Sequence, residues 1–330
     1  MRIFSPLNNG FDIKKLSEVC DEFYVGVIDE EWSAKYNGFI GYNTRAFSGT
    51  QANFPNWSSL EDAIKAASEY KCPTFLTLNA HNITQSQLSI VKRIISDFSK
   101  IGGAGIICSE LNGVELAKEA GLKVYLSTNF VLYNLNAIKY LIRTYDVDRI
   151  ILSRDMKFDE IKKIRWEIDR EIEVFGQNVG CRFSNGLCYC THNTKSKGMC
   201  YTSSTSEWEH FGSMSKLTFR EKYDADINHH IYSKYLLRNS CSLCAIYDFV
   251  KVGIDSIKVV GREFPCNVIF DSCSMLKRGV SAAQKSDSRE EYLEWLSCNK
   301  KNLINFDCDW GFQCYYPEMG YKNFKKESIE

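Results

Sequence analysis

The sequence predicts an α/β fold, a (β/α)8 TIM-like barrel carrying a Cys-rich insertion after its seventh strand and a C-terminal extension. Three observations lead there. Short apolar runs, each hydrophobic enough to be buried on both faces, alternate with amphipathic stretches along the first half of the chain. Eight such runs can be counted, the number that closes a parallel barrel. The length, 330 residues, suits one large α/β core or two ordinary domains. An open doubly wound sheet shares the alternation, so periodicity by itself does not separate the two.

The strands are expected at Arg2 to Phe4, Phe23 to Val27, Thr74 to Leu78, Ala104 to Cys108, Leu122 to Leu126, Arg149 to Leu152 and Glu171 to Phe175. Between them, Ile90, Val91, Ile94, Ile95, Phe98 and Ile101 recur at helical spacing, and Leu135, Ile138, Leu141 and Ile142 repeat the pattern. The eighth strand, Ile254 to Val260, follows a long interruption. Within that interruption, 178–211 is the longest stretch without pattern, rich in Gly, Ser, Thr, Asn and Cys, and an insertion of that length is usually functional. The expected division is a catalytic barrel domain over 1–270, Cys-rich loop included, and a helical extension over 271–330 packed on it.

Lys plus Arg and Asp plus Glu both number 41, so no net charge is available to condense a polyanion, although a local basic groove for RNA remains compatible. No apolar run approaches the ~20 residues of a membrane span. The first residues lack the apolar core and small-residue cleavage site of a signal peptide, so a cytoplasmic protein without membrane insertion is expected. GxGxxG, Walker A, HExxH and GxSxG are absent, which removes the usual signatures of dinucleotide binding, P-loop chemistry, zincins and α/β-hydrolases.

Fourteen cysteines are the unusual count, and only Cys20, Cys72 and Cys108 lie within 1–180. Disulfides are disfavoured in a reducing cytosol, and thiols used only as small hydrophobes would scatter with the core. Cys181, Cys188 and Cys200 lie in the irregular segment, and Cys241 forms a CxxC pair with Cys244 ahead of the eighth strand. Four thiolates gathered by a loop can hold zinc or an iron-sulfur cluster. The spacing C-x6-C-x11-C-x40-C belongs to no zinc ribbon or plant-type ferredoxin pattern, so the metal stays open.

In a barrel, residues just after each strand share one rim, where chemistry is placed. Those positions are Asn79, Ser109, Glu110, Ser127 to Asn129, Arg154, Asn178, Cys181 and Gly261 to Glu263. Single Asn and Ser residues at strand ends are as readily explained by wet loops. Arg154 and Arg262 are harder to dismiss, because planar guanidinium groups capture carboxylates or phosphates, which implies an anionic ligand. Cys190 and His192, i, i+2 neighbours in the irregular segment, are read as a poor nucleophile and base. His229-His230 reads as an exposed helix start, and Cys308 to Glu318 as an aromatic tail packed on the barrel.

Several phrases occur in a familiar order: Asn43-Thr-Arg-Ala-Phe-Ser-Gly49 with Asn53-Phe54, Leu126-Ser-Thr-Asn129 with Asn134, Arg149-Ile-Ile-Leu-Ser-Arg154, Gly198-Met-Cys200, and Gly253-Ile-Asp-Ser-Ile-Lys-Val-Val-Gly-Arg262. Over roughly residues 1 to 265 they resemble the collagenase-like peptidase family, U-thirty-two, and within it the UbiU, UbiV and TrhP-like branch. The resemblance implies a barrel-like catalytic domain and an oxygen-independent hydroxylation system with a 4Fe-4S cluster and prephenate as a co-substrate. Its cluster ligands fall on Cys181, Cys188, Cys200 and Cys241; Cys241 is preferred to Cys244 because it lies twelve residues before Gly253. Arg45, Arg154 and Arg262 match family arginines, and with Asn129 they are the expected catalytic residues. Ser204 stands where the family often has a further cysteine, which favours the UbiU-like ligand set, and Val260 stands where the family has a glutamate.

The function so implied is a 4Fe-4S protein catalysing or supporting hydroxylation of a small molecule, an RNA or a peptide. The family's name gives an alternative, a peptidase. A third reading is a non-catalytic, cluster-bearing subunit of a heterodimer with a related barrel; a homodimer is also compatible.

Overall fold

A computed structural model describes residues 1–36, 41–80, 83–178, 240–303 and 314–320. Eight strands close into one parallel barrel in chain order, as the alternation of the sequence predicts: β1 (Arg2–Pro6), β2 (Glu22–Val25), β3 (Thr74–Leu78), β4 (Gly105–Cys108), β5 (Lys123–Leu126), β6 (Arg149–Ile151), β7 (Glu171–Gln177) and β8 (Ser256–Val259). The sheet is closed, not open, because β8 returns to β1 with Ile3 facing Ile257. Nearly every strand residue is buried, as strands sandwiched between side chains and outer helices must be.

The outer helices are α1 (Ile13–Ser17), α2 (Glu30–Tyr36), α3 (Trp57–Glu69), α4 (Gln85–Lys100), α5 (Leu111–Glu119), α6 (Leu135–Tyr145), α7 (Phe158–Glu167), α8 (Ile246–Val252), α9 (Cys266–Lys285) and α10 (Arg289–Leu303). Polar caps start several of them: Asn56 accepts from Ser59 N at 2.8 Å, and Asn134 from Asn136 N at 2.8 Å. The apolar stripe Ile90, Val91, Ile94, Ile95 and Phe98 of α4 is buried against the sheet, as its spacing predicts. Helix α9 packs on β1, β7 and β8, and residue 270, where the sequence suggests a boundary, falls inside it. No helix among the described residues is long and apolar enough to cross a membrane.

The amino-terminal mouth of the barrel is filled by charge. Arg149, fully buried, donates to Glu22 at 2.6 and 2.9 Å, to Glu173 at 2.9 Å and to Glu171 at 2.9 Å, and lies 4.0 Å above the Tyr125 ring. Lys258 completes the network on Glu173 at 3.0 Å. The carboxylates hold the Arg149 guanidinium firmly protonated against the cost of burial.

Beyond β2, Asp29 ties three helices together. Its buried carboxylate accepts from Trp32 N at 2.9 Å, Trp57 Nε1 at 2.9 Å and Arg93 Nη2 at 2.6 Å. Burial alone would raise its pKa, but Arg93 and the two N–H donors outweigh it and hold Asp29 below the usual carboxylate range. A carboxylate lowered on folding stabilises above its unfolded pKa, and that contribution is lost as pH falls. Asp29→Asn is therefore expected to cost about 1–3 kcal/mol at pH 7 and to flatten the acid limb of the stability curve, measured by urea unfolding from pH 7 to 3.

Candidate functional site

The carboxyl ends of the strands carry two adjoining groups of polar residues. The first is built around Arg262, just past β8. Its Nη1 donates to Thr77 Oγ1 at 2.9 Å and its Nη2 to Asn43 Oδ1 at 3.1 Å. Thr77 Oγ1 is itself fixed, donating to Val25 O at 2.9 Å, and Asn8 donates to the Arg262 carbonyl at 3.3 Å. Arg262 is only 5% exposed, yet among the described residues no carboxylate lies within ion-pair distance of it. Burial, then the nearby Arg45, pull its pKa down to about 10, which still leaves a full positive charge at neutral pH.

The segment between β2 and α3, which includes α2, completes this half. Phe54 N bonds Gly26 O and Ile28 N bonds Phe54 O, each at 2.8 Å, so the loop returns beside its own strand. Asn53 donates to Arg45 O at 2.9 Å and Gly49 O at 2.8 Å, fixing the 3-10 turn Ala46–Gln51. Arg45 reaches Glu263 at 3.3 Å, and Ser48 donates to the same carboxylate. Thr44 N donates to Asn79 Oδ1 at 3.1 Å, and Asn129 Nδ2 to Asn79 O at 3.0 Å. Arg262, Arg45 and Asn129 are thus joined through Asn43, Thr44 and Asn79.

Gly26 makes the Arg262 cradle possible. A Cβ there would sit 2.2 Å from Arg262 Nη1 and 2.2 Å from Asn53 Oδ1. Gly26→Ala is expected to push the guanidinium out of its cradle and weaken binding of a carboxylate probe at least tenfold, a change of ~1.4 kcal/mol, while the far-ultraviolet circular dichroism stays that of the wild type. Isothermal titration with a small dicarboxylate measures it.

The second group surrounds Cys241. Residue Cys241 bridges Gln177 of β7 on one side and Cys314 on the other, and Tyr315 N donates to Cys241 O at 3.0 Å. Two N–H donors converge on its sulfur: Gln177 Nε2 at 3.2 Å and Leu243 N at 3.4 Å. Burial pushes the Cys241 thiol up, and the neighbouring Cys244 and Cys314 add to it. A bound metal is the kind of positive partner that keeps such a sulfur deprotonated, and N–H donors on sulfur are what cluster thiolates use. Cys241 therefore fits as one ligand. Cys181, Cys188 and Cys200 lie outside the described residues, as do Cys190, His192 and His229-His230. Among the described residues no three His, Cys, Asp or Glu side chains are arranged to hold a metal ion by themselves.

Arg154 belongs to this second side. Its guanidinium lies 5.5 Å above the Phe175 ring, the Phe175 and Tyr315 rings meet at a tilt with centroids 5.6 Å apart, and Tyr315 OH donates to Asn178 O. The packed tail expected from the sequence is present over 314–320, anchored by Tyr316 on Phe249 at 4.8 Å and by Phe158 N on Glu318 at 2.9 Å. Its 308–313 portion lies outside the described residues. Ser109, Glu110 and Asn178 hold loops, donating to Ala80 O, accepting from Ile83 N and bonding Ser272 respectively. Sequence reasoning overlooked Gly26, Thr77, Gln177 and the closeness of Cys314 to Cys241. Only Gly26 carried a signal, since a glycine at a strand end often marks a close approach.

Fold and rim together define a (β/α)8-barrel protein with polar residues gathered at the carboxyl ends of its strands, the arrangement barrel enzymes use. The model of peptidase family U32 matches residues 16–322, and the chain belongs to that family. It is 24% identical over 267 residues to a collagenase of Porphyromonas gingivalis, covering 75% of this chain and 60% of the relative. It is also 24% identical over 314 residues to an uncharacterized protease of Methanocaldococcus jannaschii, covering 92% of this chain and 72% of the relative. A tRNA hydroxylation protein of Bacillus subtilis is 23% identical over 247 residues, covering 71% of this chain and 56% of its own length.

Proposed function

We propose that this chain holds a 4Fe-4S cluster on Cys181, Cys188, Cys200 and Cys241 and catalyses or supports oxygen-independent hydroxylation, with a prephenate-type carboxylate as oxygen donor. The observation that carries the reading is Arg262, a buried cation with only neutral partners among the described residues, on the same barrel rim as Cys241 with its two N–H donors. Arg262 and Arg45 bind and orient the donor's carboxylates, Asn129 supports the loop that carries Arg45, and Arg154 lines the cysteine side. When bound, the cluster supplies one-electron redox chemistry. The tRNA hydroxylation protein among the relatives supports an RNA substrate; a small molecule or peptide is compatible with the same rim. A related barrel chain, or a second copy, is a compatible partner.

The test is a mass-spectrometric comparison of RNA nucleosides from anaerobically grown cells with and without this gene. A hydroxylated nucleoside that disappears with the gene, and returns with the wild type but not with Arg262→Ala, supports the reading. The names of two relatives favour a second one, a peptidase. Gelatin cleavage by the purified protein, undiminished in Cys241→Ala, together with an unchanged nucleoside profile, would establish that reading and sink the first.

A further inference from the structure

We infer that Gln177 is a positioning residue for the metal centre: its side-chain amide holds the Cys241 sulfur by an N–H···S bond and raises the reduction potential of the cluster bound there. The inference rests on the cluster reading above and adds to it a residue outside the thiol set.

Three features of Gln177 carry it. Its Nε2 lies 3.2 Å from Cys241 Sγ, a short contact for sulfur as acceptor. The side chain is 2% exposed, so water does not compete for the sulfur from that side. The backbone is pinned on both flanks: Val260 N donates to Gln177 O at 3.0 Å, and Ser242 N to the preceding carbonyl, Gly176 O, at 3.0 Å. These bonds fall where the register of β7 against β8 shifts between Phe175 and Gln177. The irregularity breaks the strand's regular pairing at the residue that faces Cys241, and bulges of this kind re-aim a side chain next to a site.

The chemistry gives the direction. A metal-bound thiolate has no proton and can only accept, so the amide must present its N–H, not its oxygen, to the sulfur. An N–H donor draws negative charge from the thiolate. The reduced cluster carries one more electron than the oxidised one and gains more from that withdrawal, so the bond favours reduction. Leu243 N, at 3.4 Å, is a backbone donor that side-chain substitution leaves in place, so Gln177 is the adjustable half of the pair.

The experiment uses the full-length protein, purified and reconstituted anaerobically, as wild type, Gln177→Leu and Gln177→Glu. Iron content and the midpoint potential are measured, the latter by redox titration followed by electron paramagnetic resonance of the reduced state. Gln177→Leu, close in volume and without a donor, is expected to keep the wild-type iron content and to move the midpoint to a more negative value. Gln177→Glu, which places a carboxylate against the sulfur, is expected to move it further in the same direction or to lose iron. Circular dichroism confirms that both variants fold. If the wild type carries a cluster and both variants titrate at its potential with its iron content, the role of Gln177 is refuted and the cluster reading stands. If the wild type carries no cluster, both fall together.

Discussion

Cys241→Ala purified and reconstituted without oxygen is expected to be colourless, with iron lost from about four per chain to well under one. The reason is local. Cys241 is the proposed ligand that comes from the barrel itself, between Gln177 of β7 and Cys314 of the closing tail, and two N–H donors already aim at its sulfur. Alanine removes the sulfur and leaves both donors facing a methyl group. Cys244, next in the CxxC pair, and Cys314, across the bridge, are the thiols placed to substitute. Partial iron retention in Cys241→Ala that vanishes in Cys241→Ala/Cys244→Ala would identify Cys244 as the stand-in. Cys190→Ala is expected to hold iron like the wild type, because Cys190 is outside the proposed ligand set.

Arg149→Met is expected to be the most destabilising single change in the barrel. Arg149 is fully buried and satisfies Glu22 and Glu173, themselves 3% and 0% exposed, as well as Glu171. Removing it leaves Glu22, Glu171 and Glu173 with only Arg2 and Lys258 as cations, one positive charge short, and breaking a buried ion pair from one side costs about 3–5 kcal/mol. Methionine fills the volume of the stem, so the loss is electrostatic more than a packing defect. Urea unfolding of wild type and variant at pH 7 measures it. Glu171, whose carboxyl Arg2 and Arg149 together hold below the usual range, loses one of those cations, so part of the loss is expected to disappear as pH is lowered, whereas a packing defect does not depend on pH. Removing Arg149 and Glu22 together, with apolar replacements, is expected to be far milder than removing Arg149 alone, because Glu173 then keeps Lys258 and Glu171 keeps Arg2, and the charges left inside balance.

These two sites show what the sequence conveyed and what it did not. The strands were legible because burial on both faces forces nearly unbroken apolar runs, and Thr74–Leu78 is placed where Thr-Phe-Leu-Thr-Leu predicts it. Closure was legible only from the count of eight strands, since the pairing of Ile3 with Ile257 leaves no local trace. Arg149 reads in sequence as the polar start of a strand; its carboxylate partners come from β2 and β7, and only the barrel brings them together. Arg262 was found from its position past a strand end, but its cradle depends on Asn43 and Thr77, far away in the chain, and on a missing Cβ at Gly26. The CxxC pair announced a thiol site, whereas Cys314 read as part of a packed tail. It is packed, and it also lies beside Cys241, because parallel bridging sets partners side by side whatever their separation in sequence.

We propose, above all, that the thiols of this barrel hold an iron-sulfur cluster beside an anion-binding rim. Iron, acid-labile sulfide and zinc, quantified on the anaerobically purified wild type together with its electron paramagnetic resonance spectrum after reduction, test it most directly. The expected result is a brown protein with about four irons and four sulfides per chain and a reduced-cluster signal. A colourless protein that takes up one zinc, or no metal, after reconstitution would contradict it.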